Sequence, residues 1–407
     1  MQEKRRRIGK RISLFILGMG CLCLAAGGIQ IGRQVSGDKK QAETVQEEVP
    51  YEEEKIADEE VNGKFYYEQL TEDEQMVYRE ILQGLRENRE KIYLHCQDAE
   101  AANRIFQDVL NDRPEIFWCD GDATSTEYSL LAGKSGYVVM EPDYIYQGEE
   151  KERRNQEIEL AKEVCLSGIS EDAGEYEKIK YIYTYLIENV EYDLDAPDNQ
   201  NIYSALVGKR SVCAGYAKSC QYLLEQLGIS CIYVTGQTTD PNGEVADHAW
   251  NIVQCDGKYY YVDATWGDPI FLGEEGEYQL PDLIAYDYLC CSEKELEKTH
   301  TLNADYDYPV CDSEDLNYYQ LNGMYYDEFE PGQMREAICR SIENREAYTI
   351  FKMSDDDIYQ QTADEMHGSL MNEGARYLGE LYGLYQVSYS YSEEASLDKF
   401  IIYWFYE

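Results

Sequence analysis

Apolar residues recur every three or four positions in much of the chain, and this period predicts amphipathic helices. One helix follows Thr71, which has Glu74 at the spacing of an N-terminal capping box. Another begins at Cys213 and ends before Gly228, because glycine readily adopts the left-handed conformation that closes a helix. The predicted helices cover residues 72–85, 99–110, 152–166, 176–190, 213–227, 334–342 and 363–381.

Short apolar runs bounded by turn residues predict strands between these helices. Asp256 and Gly257 form a two-residue hairpin signal between two such runs. Residues 286–291 and 294–300 are predicted to form a short helical connection. The predicted strands cover residues 115–119, 137–140, 144–146, 231–236, 248–255, 258–263, 348–351, 386–391 and 400–404. Helices together with antiparallel strands indicate an α+β fold.

The N-terminal residues have the pattern of a membrane anchor. Residues 4–11 are rich in Lys and Arg, and residues 12–31 carry no charge. About 20 apolar residues span a bilayer, and basic flanks stay on the cytoplasmic side. We therefore predict a cytoplasmic tail at 1–11 and a transmembrane signal anchor at 12–32, with the remainder outside the cell. A cleaved signal peptide is the alternative, since small residues occur at 25–28.

The rest of the chain divides into four parts by composition. An acidic, disordered tether is expected at 33–62, because this Glu-rich stretch lacks apolar periodicity. A small α+β region is expected at 63–150, and a larger domain, which holds the candidate chemistry described below, at 151–311. The α+β region at 312–407 is interpreted as an accessory that either binds substrate or cell wall, or completes the scaffold.

Composition excludes some partners and cofactors. The net charge of −44 argues against nucleic acid, since binding its backbone requires a basic surface. Solubility is the main interpretation of this acidity, and a cationic wall or peptide substrate is the alternative. The chain has 13 Cys but only four His and no Cys-x-x-Cys pair, so no metal site or other cofactor is expected. An even number of cysteines remains beside Cys213 and the two in the N-terminal apolar run, which permits disulfides outside the cell.

The candidate chemistry begins with Cys213, in the first turn of its predicted helix. Unpaired N–H groups and the positive end of the helix dipole stabilise a thiolate there. The same N–H groups are suited to stabilise an oxyanion. A lone cysteine on an apolar helix face is more often a buried structural thiol. Cys213 therefore becomes a candidate nucleophile only together with other groups.

His248 and Asp263 supply those groups. If Asp256 and Gly257 form the hairpin turn, Trp250 lies opposite Asp263, and Asp263 becomes the diagonal neighbour of His248 on the same face. A slip of one residue would separate them. A carboxylate next to an imidazole orients it and stabilises its cation, which suits an imidazole that exchanges a proton with a thiol. Taken alone, His248 is more typical of a hydrogen-bonded strand histidine.

Aromatic residues near these positions are candidates for the wall of the site. Trp250, Trp266 and Tyr216 are assigned this role, with core packing as the alternative for each. His300 lies in a polar stretch, and no functional role is expected for it.

Three motifs of this chain resemble those of the bacterial transglutaminase-like superfamily, especially its cell-surface members in Gram-positive bacteria. They are Val212–Ala217, His248–Asn251 and Val262–Pro269, and the similarity is best over residues 175–270. The resemblance implies a papain-like core, in which a helix with the nucleophile packs on an antiparallel sheet.

The resemblance also implies the roles of three residues and a range of reactions. Cys213 would be the nucleophile, His248 the general base and acid, and Asp263 the residue that orients His248. We expect an extracytoplasmic thiol enzyme that acts on amide bonds of proteins or cell-wall peptides, with hydrolysis slightly favoured. Amine transfer to protein glutamine, as in cross-linking transglutaminases, is the first alternative. A non-catalytic cell-surface binding or scaffold protein is the second.

Overall fold

A computed structural model describes residues 38–40, 49–128, 136–240, 243–268 and 283–406. The predicted tail at 1–11 and anchor at 12–32 lie outside these residues. Among the helices that are described, none combines the length and the apolar character needed to cross a bilayer.

The N-terminal region combines four helices with a four-stranded sheet in the order β1-β3-β4-β2. Its elements are β1 (Asp38–Lys40), α1 (Asp58–Val61), α2 (Phe65–Glu68), α3 (Glu72–Arg86), β2 (Ile92–Leu94), α4 (Ala99–Asp112), β3 (Cys119–Tyr128) and β4 (Tyr137–Tyr144). The capping box of α3 is confirmed, since the Thr71 side chain accepts from the Glu74 N–H and the Glu74 carboxylate accepts from the Thr71 N–H. The predicted strand at 115–119 is wrong, because the chain forms turns after Pro114 and β3 begins only at Cys119.

Part of the expected tether is folded. Ile56 and Val61 are buried, and the Arg79 guanidinium donates to the Ile56 carbonyl oxygen and to the Asp58 carboxylate. These contacts, together with hydrogen bonds between the Gln83 amide and the backbone of Glu53 and Lys55, hold residues 49–62 against α3, in a stretch whose overall composition predicted disorder.

The central region carries a five-stranded antiparallel sheet in the order β10-β9-β8-β7-β11. Its elements are α5 (Gly148–Leu166), α6 (Glu175–Asn189), β5 (Glu191–Tyr192), a π-helix (Ser204–Gly208), β6 (Arg210–Ser211), α7 (Cys213–Gln226), β7 (Cys231–Thr239), β8 (Val245–Cys255), β9 (Lys258–Val262), β10 (Leu289–Cys291), α8 (Glu293–Leu296) and β11 (His300–Leu302). The helix that begins with Cys213 and the antiparallel sheet of the expected core are both present.

The hairpin between β8 and β9 has the predicted register. Cys255 pairs with Lys258, and the ladder continues to Asn251 opposite Val262. Asp256 and Gly257 both have positive φ, at 49° and 79°, as a tight two-residue turn between twisted strands requires.

The predicted helical connection at 286–300 is wrong for most of its residues, since turns and two short strands, β10 and the start of β11, occupy them. Leu289 pairs with Val262 at one edge of the sheet, and His300 pairs with Thr238 at the other. Only the short α8 is helical between them. Tyr288, Leu289 and Cys291 are buried, and burial against the sheet decides their conformation where the apolar pattern was ambiguous.

The C-terminal region has a four-stranded sheet in the order β12-β13-β15-β14. Its elements are α9 (Tyr318–Leu321), β12 (Tyr325–Tyr326), α10 (Pro331–Glu343), β13 (Tyr348–Met353), α11 (Asp356–Glu365), a π-helix (Met366–Leu370), α12 (Met371–Tyr382), β14 (Ser388–Glu394), a 3₁₀ turn (Ala395–Leu397) and β15 (Lys399–Phe405). The single helix predicted at 363–381 is therefore interrupted by a π-helical turn.

A buried ionic network joins this C-terminal region to the central one. Lys399 contacts the carboxylates of Asp287 and Glu394, and Lys352 lies 2.7 Å from Glu295 and 3.6 Å from Asp287. All five side chains are nearly inaccessible to solvent. Such contacts bind two regions firmly, because separating the partners would leave buried charges uncompensated.

Candidate active site

Cys213 is the first residue of α7 and has no exposed surface. Backbone packing fixes this start, because the Val212 N–H donates to the Asn199 carbonyl oxygen at 3.0 Å. A side chain at Gly215 would collide with the Ser211 hydroxyl and lie 3.1 Å from the Asn199 carbonyl oxygen. The glycine two residues after the cysteine therefore lets the first turn of the helix approach the preceding loop.

Side-chain contacts hold α7 on the sheet. Asn251 of β8 donates from Nδ2 to the Ala217 carbonyl oxygen at 3.0 Å, and Ala217 packs in a small cluster with Tyr233 and Ala249. Residues 213 and 217 are four apart and share one helix face. Cys213 therefore lies on the face of α7 that contacts the sheet.

His248 and Asp263 lie in hydrogen-bond contact. Nε2 of His248 is 2.7 Å from Oδ2 of Asp263, and each side chain is only 1 % exposed. Asp263 directly follows β9, so the hairpin register brings the carboxylate to the imidazole as the sequence analysis expected.

A second imidazole reaches the same carboxylate oxygen. Nε2 of His300 lies 3.1 Å from Oδ2 of Asp263, and His300 is fully buried. His300 was expected in polar surroundings, but it is buried among aromatic rings at the start of β11. Histidine is rare in this chain, with only four residues, and this rarity could have marked His300 as a candidate. The helix predicted at 294–300 gave no reason to place it in the sheet beside Asp263.

The surroundings keep Asp263 ionised. Burial alone would raise the pKa of its carboxyl, but the charge and hydrogen bond of His248 and the hydrogen bond of His300 lower it well below 3.8. The other oxygen, Oδ1, accepts from the backbone N–H groups of Thr265 at 2.8 Å and Trp266 at 3.3 Å. An ionised carboxylate only accepts hydrogen bonds, so Nε2 of both imidazoles must carry the proton. Nδ1 is then the basic nitrogen of a neutral His248.

The three predicted wall residues occupy different places. Trp250 is buried and stacks on the His248 ring with a centroid distance of 5.8 Å. Trp266 is partly exposed, and its centroid lies 6.2 Å from His248 and 5.0 Å from His300. Tyr216 instead belongs to the main hydrophobic core, where its hydroxyl donates to the Val190 carbonyl oxygen. Both tryptophans thus surround the imidazoles, whereas Tyr216 packs under the helix.

The absence of a side chain at Gly236 leaves room for the indole of Trp250. This glycine pairs with His248 in the ladder between β7 and β8. A side chain there would meet the indole of Trp250 and collide with the Thr301 carbonyl oxygen.

Two groups of side chains among the described residues have ligand atoms close enough together to hold a metal ion. The first is His248, Asp263 and His300, all buried; the second is Glu175, Cys255 and Asp256, of which only Cys255 is buried. In the first group the same atoms already hydrogen-bond to one another. A cation there would have to displace both Nε2 protons, so the arrangement suits proton transfer better than coordination.

A cleft of about 480 Å³ lies beside the start of α7. Ala214 and Lys218 of α7 line it together with Tyr233 of β7. Burial lowers the pKa of Lys218 to about 8. Because Ala214 directly follows Cys213, the cleft ends next to the backbone of the candidate nucleophile.

The remaining cysteines behave as small apolar side chains. The 11 cysteines of the described residues are present as thiols, most of them buried. Burial raises the pKa of several of these thiols, for example those of Cys119 and Cys165, each to about 12. The disulfides that the even count permitted are therefore not found among the described cysteines.

Part of this chain is similar to a known protein family. The family model of the transglutaminase-like superfamily matches residues 161–264, which contain Cys213, His248 and Asp263. Residues 161–264 therefore form a transglutaminase-like domain. The predicted resemblance is confirmed for this part of the chain.

Individual relatives are distant. Kyphoscoliosis peptidase from Mus musculus is 27% identical over 111 residues, which make up 24% of this chain and 17% of the relative, and the Homo sapiens protein gives the same values. A solved structure described as a TGase has 14% identity and a TM-score of 0.25, covering 46% of this chain and 53% of its own. The periplasmic domain of TgpA from Pseudomonas aeruginosa has 19% identity and a TM-score of 0.21, covering 32% and 54%. This chain thus spans a small part of the curated relatives and about half of these solved chains.

Proposed function

We propose that this protein is a thiol enzyme that acts on amide bonds of proteins or peptides through Cys213, His248 and Asp263. The observation that carries the proposal is the buried hydrogen bond from His248 Nε2 to Asp263, in a transglutaminase-like domain whose helix α7 begins with Cys213. The name of the distant peptidase relative is consistent with this reaction class.

The reaction would proceed through a thioester. Nδ1 of His248 takes the proton of the Cys213 thiol, and the thiolate attacks the carbonyl carbon of the amide. N–H groups of the first turn of α7 stabilise the resulting oxyanion. The His248 imidazolium then gives its proton to the departing amine, and Asp263 stabilises the imidazolium while it exists. Water or a second amine attacks the thioester and releases the acyl group.

The buried nucleophile imposes one condition on this mechanism. Cys213 has no exposed surface, so a substrate in the neighbouring cleft must displace the groups that cover the sulfur. We expect hydrolysis to be the main reaction, since water needs no binding pocket. Amine transfer remains the alternative, and it would require a selective site for the second amine.

The cellular location is a further part of the proposal. The uncharged stretch at 12–31 behind a basic flank supports a membrane anchor with the catalytic domain outside the cytoplasm, where cell-wall peptides are accessible substrates. Protease treatment of intact cells tests this placement. Digestion of the domain outside intact cells would support it, whereas protection until lysis would contradict it.

Alkylation by iodoacetamide near neutral pH, followed by mass spectrometry, tests the role of Cys213. We expect Cys213 to react faster than the other thiols and His248→Ala to slow it strongly. Cys220 lies on the same helix, is also buried and serves as the internal control. Equal, slow reaction of Cys213 and Cys220 would contradict the enzymatic role and favour a binding or scaffold protein.

A peptide library separates the two reactions. Glutamine-containing peptides are incubated with the full-length chain, with and without a labelled amine, and Cys213→Ser is the inactive control. Hydrolysis is identified by conversion of glutamine to glutamate with release of ammonia, or by two fragments whose masses sum to that of the peptide plus one water. Products that carry the label identify amine transfer.

A further inference from the structure

We propose that His300 is a positioning residue of this site, which acts on His248 through the carboxylate that they share. The inference rests on the proposed function, because it concerns the same reaction. No motif of the transglutaminase-like resemblance includes His300, which lies beyond the 161–264 match.

The geometry makes Asp263 a shared acceptor. Oδ2 of Asp263 is 2.7 Å from Nε2 of His248 and 3.1 Å from Nε2 of His300, while Oδ1 is held by two backbone N–H groups. Two donors at one oxygen divide its negative charge between them. His300 therefore influences both the direction of this oxygen and the strength of its bond to His248.

Asp263 fixes the tautomer of His300, and two hydroxyl groups complete the hydrogen bonds of its other nitrogen. Nδ1 of His300 lies 2.8 Å from the Thr299 hydroxyl, and that oxygen lies 2.9 Å from the Tyr288 hydroxyl. Because Nε2 donates to the ionised Asp263, Nδ1 of a neutral His300 accepts a hydrogen bond from the Thr299 hydroxyl. The Thr299 oxygen then accepts from Tyr288. The hydrogen bonds therefore run in one direction, from Tyr288 to Thr299, from Thr299 to His300, and from His300 to Asp263.

His300 remains neutral in this position. Burial lowers the pKa of its imidazole below 6.5, and nearby His248 lowers it further, although Asp263 raises it. The titratable groups that face His300 are Asp263 after β9, His248 in β8 and Tyr288 before β10. A neutral imidazole donates to Asp263 without cancelling its charge. The carboxylate thus stays available to stabilise the His248 imidazolium.

Packing alone is a weaker explanation for this residue. The rings of Trp250, Trp266 and Tyr288 surround His300 at centroid distances of 5.0 to 5.1 Å. An aliphatic side chain would fill such a space without the cost of burying two polar nitrogens. Here both nitrogens of His300 have hydrogen-bond partners, and these partners connect it to Asp263.

The test compares two substitutions of similar size. His300→Leu removes the donor, whereas His300→Gln retains an N–H near the position of Nε2. The rate of Cys213 alkylation is measured from pH 5 to 10. We expect His300→Leu to lower the maximum about tenfold, in the range seen when such supporting hydrogen bonds are removed. We also expect it to move the basic limb to higher pH, because the undivided charge of Asp263 holds the His248 proton more tightly. His300→Gln should restore most of both properties.

Two outcomes would overturn the proposal. An unchanged pH profile in folded His300→Leu would show that the residue only packs. A chelator that alters the wild-type profile as His300→Leu does would show that the two imidazoles hold a metal ion instead. If His300→Leu does not fold, Thr299→Val removes the donor to Nδ1 with a side chain of equal shape, and a smaller shift in the same direction is expected.

A second readout is independent of the reactivity of Cys213. The full-length chain has four histidines, so ¹⁵N-histidine labelling gives few imidazole signals. We expect the His248 signals to report the Nε2–H tautomer in the wild type and, in His300→Leu, an Nε2–H proton shifted further downfield, because Asp263 then accepts from this imidazole alone. A slowly reacting Cys213 together with this NMR change would refute the proposed enzyme but retain the positioning role. No NMR change would refute the positioning role.

Discussion

Two buried aspartates in this protein each share a carboxylate between two nitrogen-bearing side chains. Asp263 binds the imidazoles of His248 and His300, and Asp287 binds the ammonium groups of Lys352 and Lys399. In both cases the cationic or neutral partners lower the pKa of the carboxyl against the effect of burial.

The partners decide what each aspartate does. An imidazole has an ordinary pKa near 6.5, so it gains and loses a proton at neutral pH, whereas an ammonium group near 10.5 does not. Burial lowers the pKa of His300, while Asp287 and Glu394 raise that of Lys399 despite burial. The Asp263 cluster is therefore suited to move protons, and the Asp287 network is suited to fix two regions together.

The two clusters are adjacent in the chain. Asp287 binds the C-terminal region, and its neighbour Tyr288 donates to Thr299 and accepts the Asp263 N–H through its carbonyl oxygen at 3.0 Å. Of the two roles left open for the C-terminal region, this connection favours a scaffold. The ionic network fixes Asp287, and the adjacent Tyr288 hydrogen-bonds to Thr299, which contacts His300.

The largest expected difference between the clusters is in catalysis. Asp263→Asn should lower amide hydrolysis or Cys213 alkylation by about 10³ to 10⁴, as expected when an imidazole loses its carboxylate orienter. The reference is Asp287→Asn, which should change the rate per folded molecule far less. Rates normalised to the folded fraction measure the two effects. Equal losses of rate in both variants would contradict the proposal that only the Asp263 cluster takes part in catalysis.

The second prediction concerns stability. Lys399→Met should lower the free energy of unfolding by about 3–5 kcal/mol, because Asp287 and Glu394 would be left buried with too little positive charge. Urea unfolding of the full-length chain measures it. Lys294→Met is the matched control, since Lys294 is mostly exposed and 4.0 Å from Glu314, and exposed pairs contribute at most about 1 kcal/mol. A similar loss of unfolding free energy in both variants would contradict a structural role of the network.

The third prediction separates the clusters by pH. The pKa of His300 in the folded chain lies below the 6.5 of the unfolded chain. Between the folded and the unfolded pKa, the unfolded chain binds a proton that the folded chain does not. The free energy of unfolding therefore falls as pH decreases below about 6.5. His300→Gln should lose this part of the pH dependence. The folded pKa of Lys399 lies above 10.5, so its contribution is complete at lower pH and is lost only as pH rises above that value. Unfolding free energies from pH 5 to 7 measure the difference, and parallel curves for wild type and His300→Gln would contradict it.

The smallest expected effects come from the two tyrosine hydroxyls at the edges of the clusters. Tyr288→Phe should cost about 0.5–1.5 kcal/mol, since it removes a hydrogen bond between neutral groups. Tyr319→Phe should cost about 1.5–3 kcal/mol, because its hydroxyl donates at 2.9 Å to the charged Asp287. Thermal or urea unfolding compares them. A larger loss of stability in Tyr288→Phe than in Tyr319→Phe would mean that the charge of the acceptor does not determine the strength of these hydrogen bonds.

Local rules account for the parts of the fold that were predicted well. The capping box at Thr71, the glycine that ends α7 and the Asp256–Gly257 turn each act within a few residues. The turn then fixed the register that brings Asp263 to His248. Strands at 289–291 and 300–302 were missed, because apolar runs of this length do not distinguish a strand from a helix.

Sequence alone determined that Cys213 begins a helix and that His248 and Asp263 are neighbours across a hairpin, since both follow from contacts close along the chain. Tertiary structure alone decided that His300 shares Asp263, that Cys213 is fully covered, and that Asp287 joins the C-terminal region to the centre. These contacts depend on which distant strand occupies the edge of the sheet. Burial, which acts over the whole molecule, makes that choice.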